Sequence, residues 1–294
     1  MGIKETLGKI ENFVQKECLS DIENERLQAN LEAVYQRLEK RDYQRFSYST
    51  NVFDVQNRVQ DIFTDLEFYS YLGKTWASIL SELKLENFSK ILDICPGYSP
   101  KIELGLYYLG YKGKLIVLDK DKQSFCFLQK FTDLFNVGYD MEAKFSDFFE
   151  KKDEQYELVV ANHVLDDLTV DYFAKKQGTS LKDIYANEQE MIKIWNYILK
   201  DKKQNMEEIL PLLVNSFDGF VKKGGYFCLA QYKSYMEKML GMEETSKFNK
   251  DLFEEVVSKL TDRDFEIVNH KVKNAFHKFN GHFGPDDFVI LRKK

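Results

Sequence analysis

From residue 90 onward the chain alternates short apolar runs with stretches of helical periodicity, and this alternation constrains the fold more than any other feature. The runs are KILDI (90–94), KLIVLD (114–119), a weaker one at 140–146, YELVVAN (156–162) and GYFCLAQY (225–232). Between them, 99–109, 121–136, 163–174 and about 205–222 place apolar residues at helical spacing. Strand, helix, strand in repetition predicts parallel strands joined by crossover helices, hence a doubly wound α/β sheet with helices on both faces. Two further runs, FEIVNHKV (265–272) and DFVILRK (287–293), flank a loop and close the sheet. The expectation is a mostly parallel seven-stranded sheet whose last strand is antiparallel.

Two segments fall outside that pattern. Residues 1–85 carry helical signals and no strand signal, with Val59, Ile62, Phe63, Leu66 and Tyr69 recurring at helical spacing. They predict a helical N-terminal cap ahead of an α/β domain at 86–294. Residues 171–204 exceed what one crossover helix needs and predict a helical insertion. At the carboxyl end of a sheet, such an insertion reads as a lid or substrate-binding element; an extra packing helix is the alternative.

The segment Lys90–Gly110 carries the most chemistry. Its strand ends in Asp93, and a tight turn follows at Cys95-Pro96-Gly97-Tyr98. Ser99 is expected to cap the next helix, with Pro100 at the first helical position and Gly110 beyond the last. Gly97, lacking a side chain, lets the backbone approach a ligand closely. The second strand ends in Asp119, placed to accept hydrogen bonds from ribose hydroxyls. The third leads into Phe145-Ser146-Asp147-Phe148, where a carboxylate beside a ring suits adenine, and the fourth ends in Asn162-His163. In a doubly wound sheet these strand ends converge on one crevice.

The ordered set resembles the class I S-adenosylmethionine-dependent methyltransferases, a Rossmann-like superfamily. ILDICPGYSP looks like their first motif, Asp119 in LIVLDKD like their second-strand acid, and Asp147 in KFSDFF like their adenine-contacting Asp. VVANHVLDDL (159–168) looks like their fourth-strand motif, and Val221-Lys222-Lys223-Gly224-Gly225 like their turn into the fifth strand. The resemblance covers about 86–294. It implies that Asp93, Cys95, Pro96, Gly97, Asp119, Lys120, Asp147, Phe148 and Asn162 bind S-adenosylmethionine. Cys95 and Ser99 replace two customary glycines, which narrows the turn.

His163, Asp166 and Asp167 follow the fourth strand, beside the expected sulfonium, where a base would take a proton from an acceptor. Asp166 and Asp167 are neighbours on a helix and point in different directions, so at least one is expected to be a solvated charge. Tyr232, His277 and His282 are candidates for lining the acceptor pocket. No spacing demands a metal. The activity implied is methyl transfer to a small molecule or peptide. Alternatives are transfer of the cofactor's aminocarboxypropyl arm, or a non-catalytic protein that binds the same cofactor. A nicotinamide-dependent oxidoreductase would want Gly-x-Gly-x-x-Gly where this chain has Cys-Pro-Gly-Tyr-Ser-Pro.

A net charge of -6 with mixed signs disfavours a broad nucleic-acid surface and leaves a local basic patch open. Cys18, Cys95, Cys126 and Cys228 form no CxxC pair, and Cys126 and Cys228 are expected as buried thiols. With no apolar leader core and no bilayer-spanning stretch, the default expectation is a cytoplasmic protein.

Overall fold

The computed structural model describes residues 8–9, 66–97, 100–150, 154–185, 187–233, 242–268 and 284–294. Its strands are β1 (Lys90–Ile94), β2 (Lys114–Leu118), β3 (Asp140–Lys144), β4 (Tyr156–Asn162), β5 (Val221–Ala230), β6 (Phe265–Ile267) and β7 (Phe288–Lys293). They form one seven-stranded sheet in the order β3-β2-β1-β4-β5-β7-β6. The first five pair in parallel, and β7 runs antiparallel between β5 and β6. This is the doubly wound, mostly parallel sheet expected from the alternating pattern.

The helices are α1 (Leu66–Ser81), α2 (Lys101–Tyr108), α3 (Lys122–Phe135), α4 (Leu165–Lys176), α5 (Leu181–Tyr185), α6 (Glu188–Lys200), α7 (Lys202–Phe220) and α8 (Glu243–Thr261). Strand residues alternate between two buried clusters. Leu92, Ile94, Leu118 and Val159 face the side packed by α4, α6, α7 and α8. Ile91, Val117 and Val160 face α1, α2 and α3. Burial on both faces is why these strands read as continuous apolar runs instead of alternating ones.

α1 contributes Leu72, Trp76, Ile79 and Leu80 to the same cluster as β1 and β2. It approaches α2 closely because glycines face each other. A Cβ on Gly73 would sit 2.6 Å from Leu104 Cβ, and one on Gly105 would sit 3.0 Å from Trp76 Cβ. The rest of the expected cap, including Val59, Ile62 and Phe63, lies outside the described residues. The 171–204 segment holds the end of α4, all of α5 and α6, and the start of α7. Met191, Ile194, Trp195 and Ile198 of α6 are buried, with the Trp195 ring 6.1 Å from that of Phe248 on α8.

Three local expectations are corrected. Pro100 is the N-cap of α2 instead of its first residue: its ψ of 56° is non-helical, while its carbonyl accepts from Leu104 N–H at 3.2 Å. Ser99 itself lies outside the described residues. The strand expected to start at 225 starts at Val221, because the Gly-Gly turn is a bulge inside β5. Val221 pairs with Tyr156 and Tyr226 with Leu158, leaving the intervening residues to loop out. Gly224 has φ 78°, and a Cβ on Gly225 would meet the Lys222 carbonyl oxygen at 2.9 Å, so both positions require glycine. Finally, Cys228 is buried as expected, but Cys126 is exposed, on the outer face of α3.

Gly73→Ala is expected to push α1 from α2 and destabilise the fold by about 1–3 kcal/mol, as overpacking does. Urea denaturation of parent and variant measures it, and equal midpoints would show that the crossing tolerates a methyl group.

Candidate active site

The carboxyl ends of β1, β2 and β4 meet at one edge of the sheet. After β1 the chain leaves through Cys95, which has φ 49° and donates its N–H to the Leu118 carbonyl at 2.8 Å, continuing the β1–β2 ladder. Half-buried Pro96 follows, then Gly97 at φ 61°, where an added Cβ would meet nothing within 4 Å. Gly97 N–H donates to Asp119 Oδ2 at 3.3 Å, and Asp121 N–H donates to Asp119 Oδ1 at 2.8 Å. One carboxylate therefore ties the first turn to the start of α3. Burial raises the Asp119 pKa, and the two N–H groups restrain the rise. A carboxylate oxygen has two lone pairs, so each retains an acceptor site for a hydroxyl.

Lys120 ion-pairs with Asp171 on α4. Asp171, itself buried, also binds Lys175 at 3.0 Å, and Lys175 reaches Asp147. Asp147 Oδ1 accepts from Phe149 N–H at 2.8 Å. Burial works to raise the Asp147 pKa, but the Lys175 hydrogen bond and charge hold it below the usual range. The chain Lys120–Asp171–Lys175–Asp147 thus straps α4 to the ends of β2 and β3.

Phe148 does not face the crevice. It is 3% exposed, and its ring lies 5.0 Å from Phe217 and 5.9 Å from Phe220 in the core. The exposed ring beyond β3 is Phe145, 46% exposed, with Lys122 Nζ 5.5 Å from its centroid. In FSDFF aromatics stand on both sides of Asp147, and no periodicity in the loop says which points inward.

At the end of β4, Asn162 Oδ1 accepts from Trp76 Nε1 at 2.9 Å, and Asn162 Nδ2 donates to the Tyr232 hydroxyl at 3.2 Å. α1 is thereby joined to the ends of β4 and β5. His163 takes φ 56°, uncommon for a residue with a side chain, and packs edge-on against Tyr232 with centroids 4.5 Å apart. Its Nδ1 lies 3.1 Å from Asp166 Oδ1. Asp166 also accepts from Gln231 Nε2 at 3.4 Å, while Gln231 Oε1 accepts from Leu165 N–H at 3.1 Å. Burial pushes Asp166 up, but the imidazole and these hydrogen bonds carry its pKa below the ordinary value. Asp167 accepts from the Tyr185 hydroxyl of α5. The two carboxylates do diverge, yet neither is a solvated charge, because each meets a partner from another element. His277 and His282 lie outside the described residues.

Sequence reasoning missed Trp76, Glu103, Asp171, Tyr185 and Gln231. Each acts across elements, so no local spacing flagged it. Glu103, in the first turn of α2, is fully buried, and neither of its carboxylate oxygens nor either of Asp93's has a hydrogen-bond partner among the described residues. Burial raises both pKa values, Asp93 well above the ordinary range and Glu103 to about 7. The folded chain then binds more protons than the unfolded one between the ordinary carboxyl range and about 7, so stability falls as pH rises through that window. Glu103→Gln is expected to remove much of this decline, on the order of 3 kcal/mol across the window. Denaturation curves at several pH values test it, and an unchanged slope in the variant counts against it.

No family model matches the chain, and no curated protein matches it. Among solved structures it resembles a ribosomal protein L11 methylase from Lactobacillus delbrueckii subsp. bulgaricus, at 13% identity and TM-score 0.36 over 79% of this chain and 78% of that one. It also resembles an N,N-8-amino-8-demethyl-D-riboflavin dimethyltransferase from Streptomyces davawensis, at 13% and 0.44 over 94% and 71%. A glycopeptide N-methyltransferase aligns at 10% and 0.39 over 75% and 95%. At such values these likenesses carry no argument, and the fold is read from the strand order alone. With β3-β2-β1-β4-β5-β7-β6 and an antiparallel β7, the chain has a Rossmann-like, doubly wound α/β fold.

Proposed function

We propose that the chain binds S-adenosylmethionine at the carboxyl ends of β1, β2 and β4 and transfers its methyl group to a small-molecule or peptide acceptor. The observation that carries this reading is the Gly97–Asp119 link. It fastens an open, left-handed glycine turn to a strand-end carboxylate that keeps acceptor capacity for a ribose. The residues fit the cofactor in two further respects. Space is open where a Gly97 Cβ would stand, and Asp93, one residue from the end of β1, has a buried carboxylate with no partner side chain among the described residues.

In this reading Asp119 holds the ribose, and Cys95, Pro96 and Gly97 border the turn. Asp93 faces the amino-acid end, and Asn162, anchored by Trp76 and Tyr232, bounds the crevice at β4. Lys120 and Asp147 act through the ion-pair strap, which shapes the adenine edge. The cofactor supplies a methyl group already activated on a sulfonium, so positioning contributes much of the rate. His163 accepts a proton from the acceptor, and Asp166, itself held by Gln231, orients the imidazole and stabilises its charged form. Tyr232 packs against that ring and borders the acceptor side. α1 and the 171–204 insertion both reach the site, through Trp76 to Asn162 and Tyr185 to Asp167, which supports their reading as cover for the acceptor.

Titration calorimetry with S-adenosylmethionine, S-adenosylhomocysteine and NAD tests the reading. Binding of the adenosyl-sulfur ligands and not of NAD is expected, and the reverse would refute it. Asp119→Ala is expected to weaken S-adenosylhomocysteine binding by about 1.5–3 kcal/mol, roughly ten- to a hundred-fold. Parental affinity in that variant would remove Asp119 from the ribose site.

A further inference from the structure

We propose that Asp93 and Glu103 hold one proton between them at the floor of the crevice and release it when an alkylammonium group arrives at the carboxyl end of β1. The inference rests on the cofactor reading in naming the amino-acid end of S-adenosylmethionine as that ammonium. It adds Glu103, a positioning residue that acts through Asp93.

The pleat places Asp93 on the same face as Ile91, the face covered by α1 and α2. Glu103 comes from the first turn of α2, between Ile102 of the same cluster and Leu104. All four carboxylate oxygens are buried and unpartnered among the described residues. The other buried carboxylates at this edge are treated differently: Asp119 accepts two N–H groups and Asp171 binds two lysines. Two desolvated charges that repel each other and have no partner side chain are costly, and a shared proton removes one of them.

The surrounding groups leave that proton loosely held. Lys101 on α2 favours the ionised forms of both carboxyls, whereas Asp119 at the end of β2 opposes ionisation of Asp93. The thiol of Cys95, partly buried in the turn, is pushed up by desolvation and supplies no charge. Tyr139, ahead of β3, donates its hydroxyl to the Glu103 backbone carbonyl at 3.1 Å and so leaves the carboxyl alone. Burial raises both carboxyls, and a cation arriving at the end of β1 shifts the pair toward double ionisation. The carboxyl O–H then ionises, its proton passes to the buffer, and no covalent bond of the ligand changes. An amine acceptor would supply the same chemistry as the cofactor's amino-acid end, so the test separates the two.

Calorimetry of the full chain near pH 7, in buffers of different ionisation enthalpy, counts protons released on binding. S-adenosylhomocysteine carries the ammonium without the sulfonium, 5′-methylthioadenosine carries neither, and propylamine carries the ammonium alone. Release of up to about one proton with S-adenosylhomocysteine and none with methylthioadenosine is expected. Glu103→Gln should abolish the release while affinity changes by less than about threefold. Proton release with propylamine and not with S-adenosylhomocysteine would support the pair and assign its cation to an acceptor. Binding of S-adenosylhomocysteine and propylamine without proton release overturns the proposal and leaves the cofactor reading standing. Failure of every adenosyl ligand to bind refutes the cofactor reading, and the pair is then judged by propylamine alone. Infrared spectroscopy of the ligand-free parent needs no variant: a protonated-carboxyl band near neutral pH is expected, and its absence overturns the proposal.

Discussion

β1 lies between β2 and β4 with apolar residues buried on both faces, and its parallel pairing on each side organises the rest of the molecule. A parallel neighbour requires the chain to cross back over the sheet before each new strand. From β1 the chain winds outward to β2 and β3 and then returns to β4 on the other side. The connections diverge at that reversal and leave a crevice beyond the strand ends. Asp93, the Cys95–Gly97 turn, Asp119 and Asn162 therefore occupy one edge by the same constraint that builds the core. The glycine-faced contact of α1 with α2 extends this edge by bringing Trp76 onto Asn162.

Electrostatics along the edge follows from how each buried carboxylate is compensated. Asp119 receives backbone N–H groups, which hold the turn and α3 in register. Asp166 receives an imidazole and an amide, favouring its charged form and a fixed ring orientation. Asp171 receives two lysines and becomes the centre of a strap from α4 to β2 and β3. Asp93 and Glu103 receive nothing comparable, and burial lifts their pKa values. Five carboxyl groups of similar intrinsic acidity thus acquire different surroundings and different roles from their neighbours alone.

The parallel sheet was legible because fully buried strands need unbroken apolar runs and crossover helices need apolar faces, both of which are local patterns. The candidate edge was legible for the same reason: Asp93, Asp119 and Asn162 stand at or beside the ends of those runs, and Gly97 opens the first turn. Local chemistry reached its limit at Phe145 and Phe148, where two rings flank one Asp and only packing against Phe217 and Phe220 draws Phe148 inward. The Gly-Gly turn was visible as glycine, but its place inside β5 depends on the register with β4.

By itself, then, the sequence determined the strand series, the crossover helices and the strand-end residues, since periodicity and turn chemistry are properties of neighbouring positions. Only the tertiary structure decided which side chains complete the site. Trp76 lies 86 positions from Asn162, and Gln231 lies 65 from Asp166. Hydrogen bonds and ion pairs of that span exist only once the sheet order and helix packing have brought the partners within about 3 Å. The same holds for the charge of Glu103, which is set by the burial of its place on α2, a quantity that no local pattern encodes.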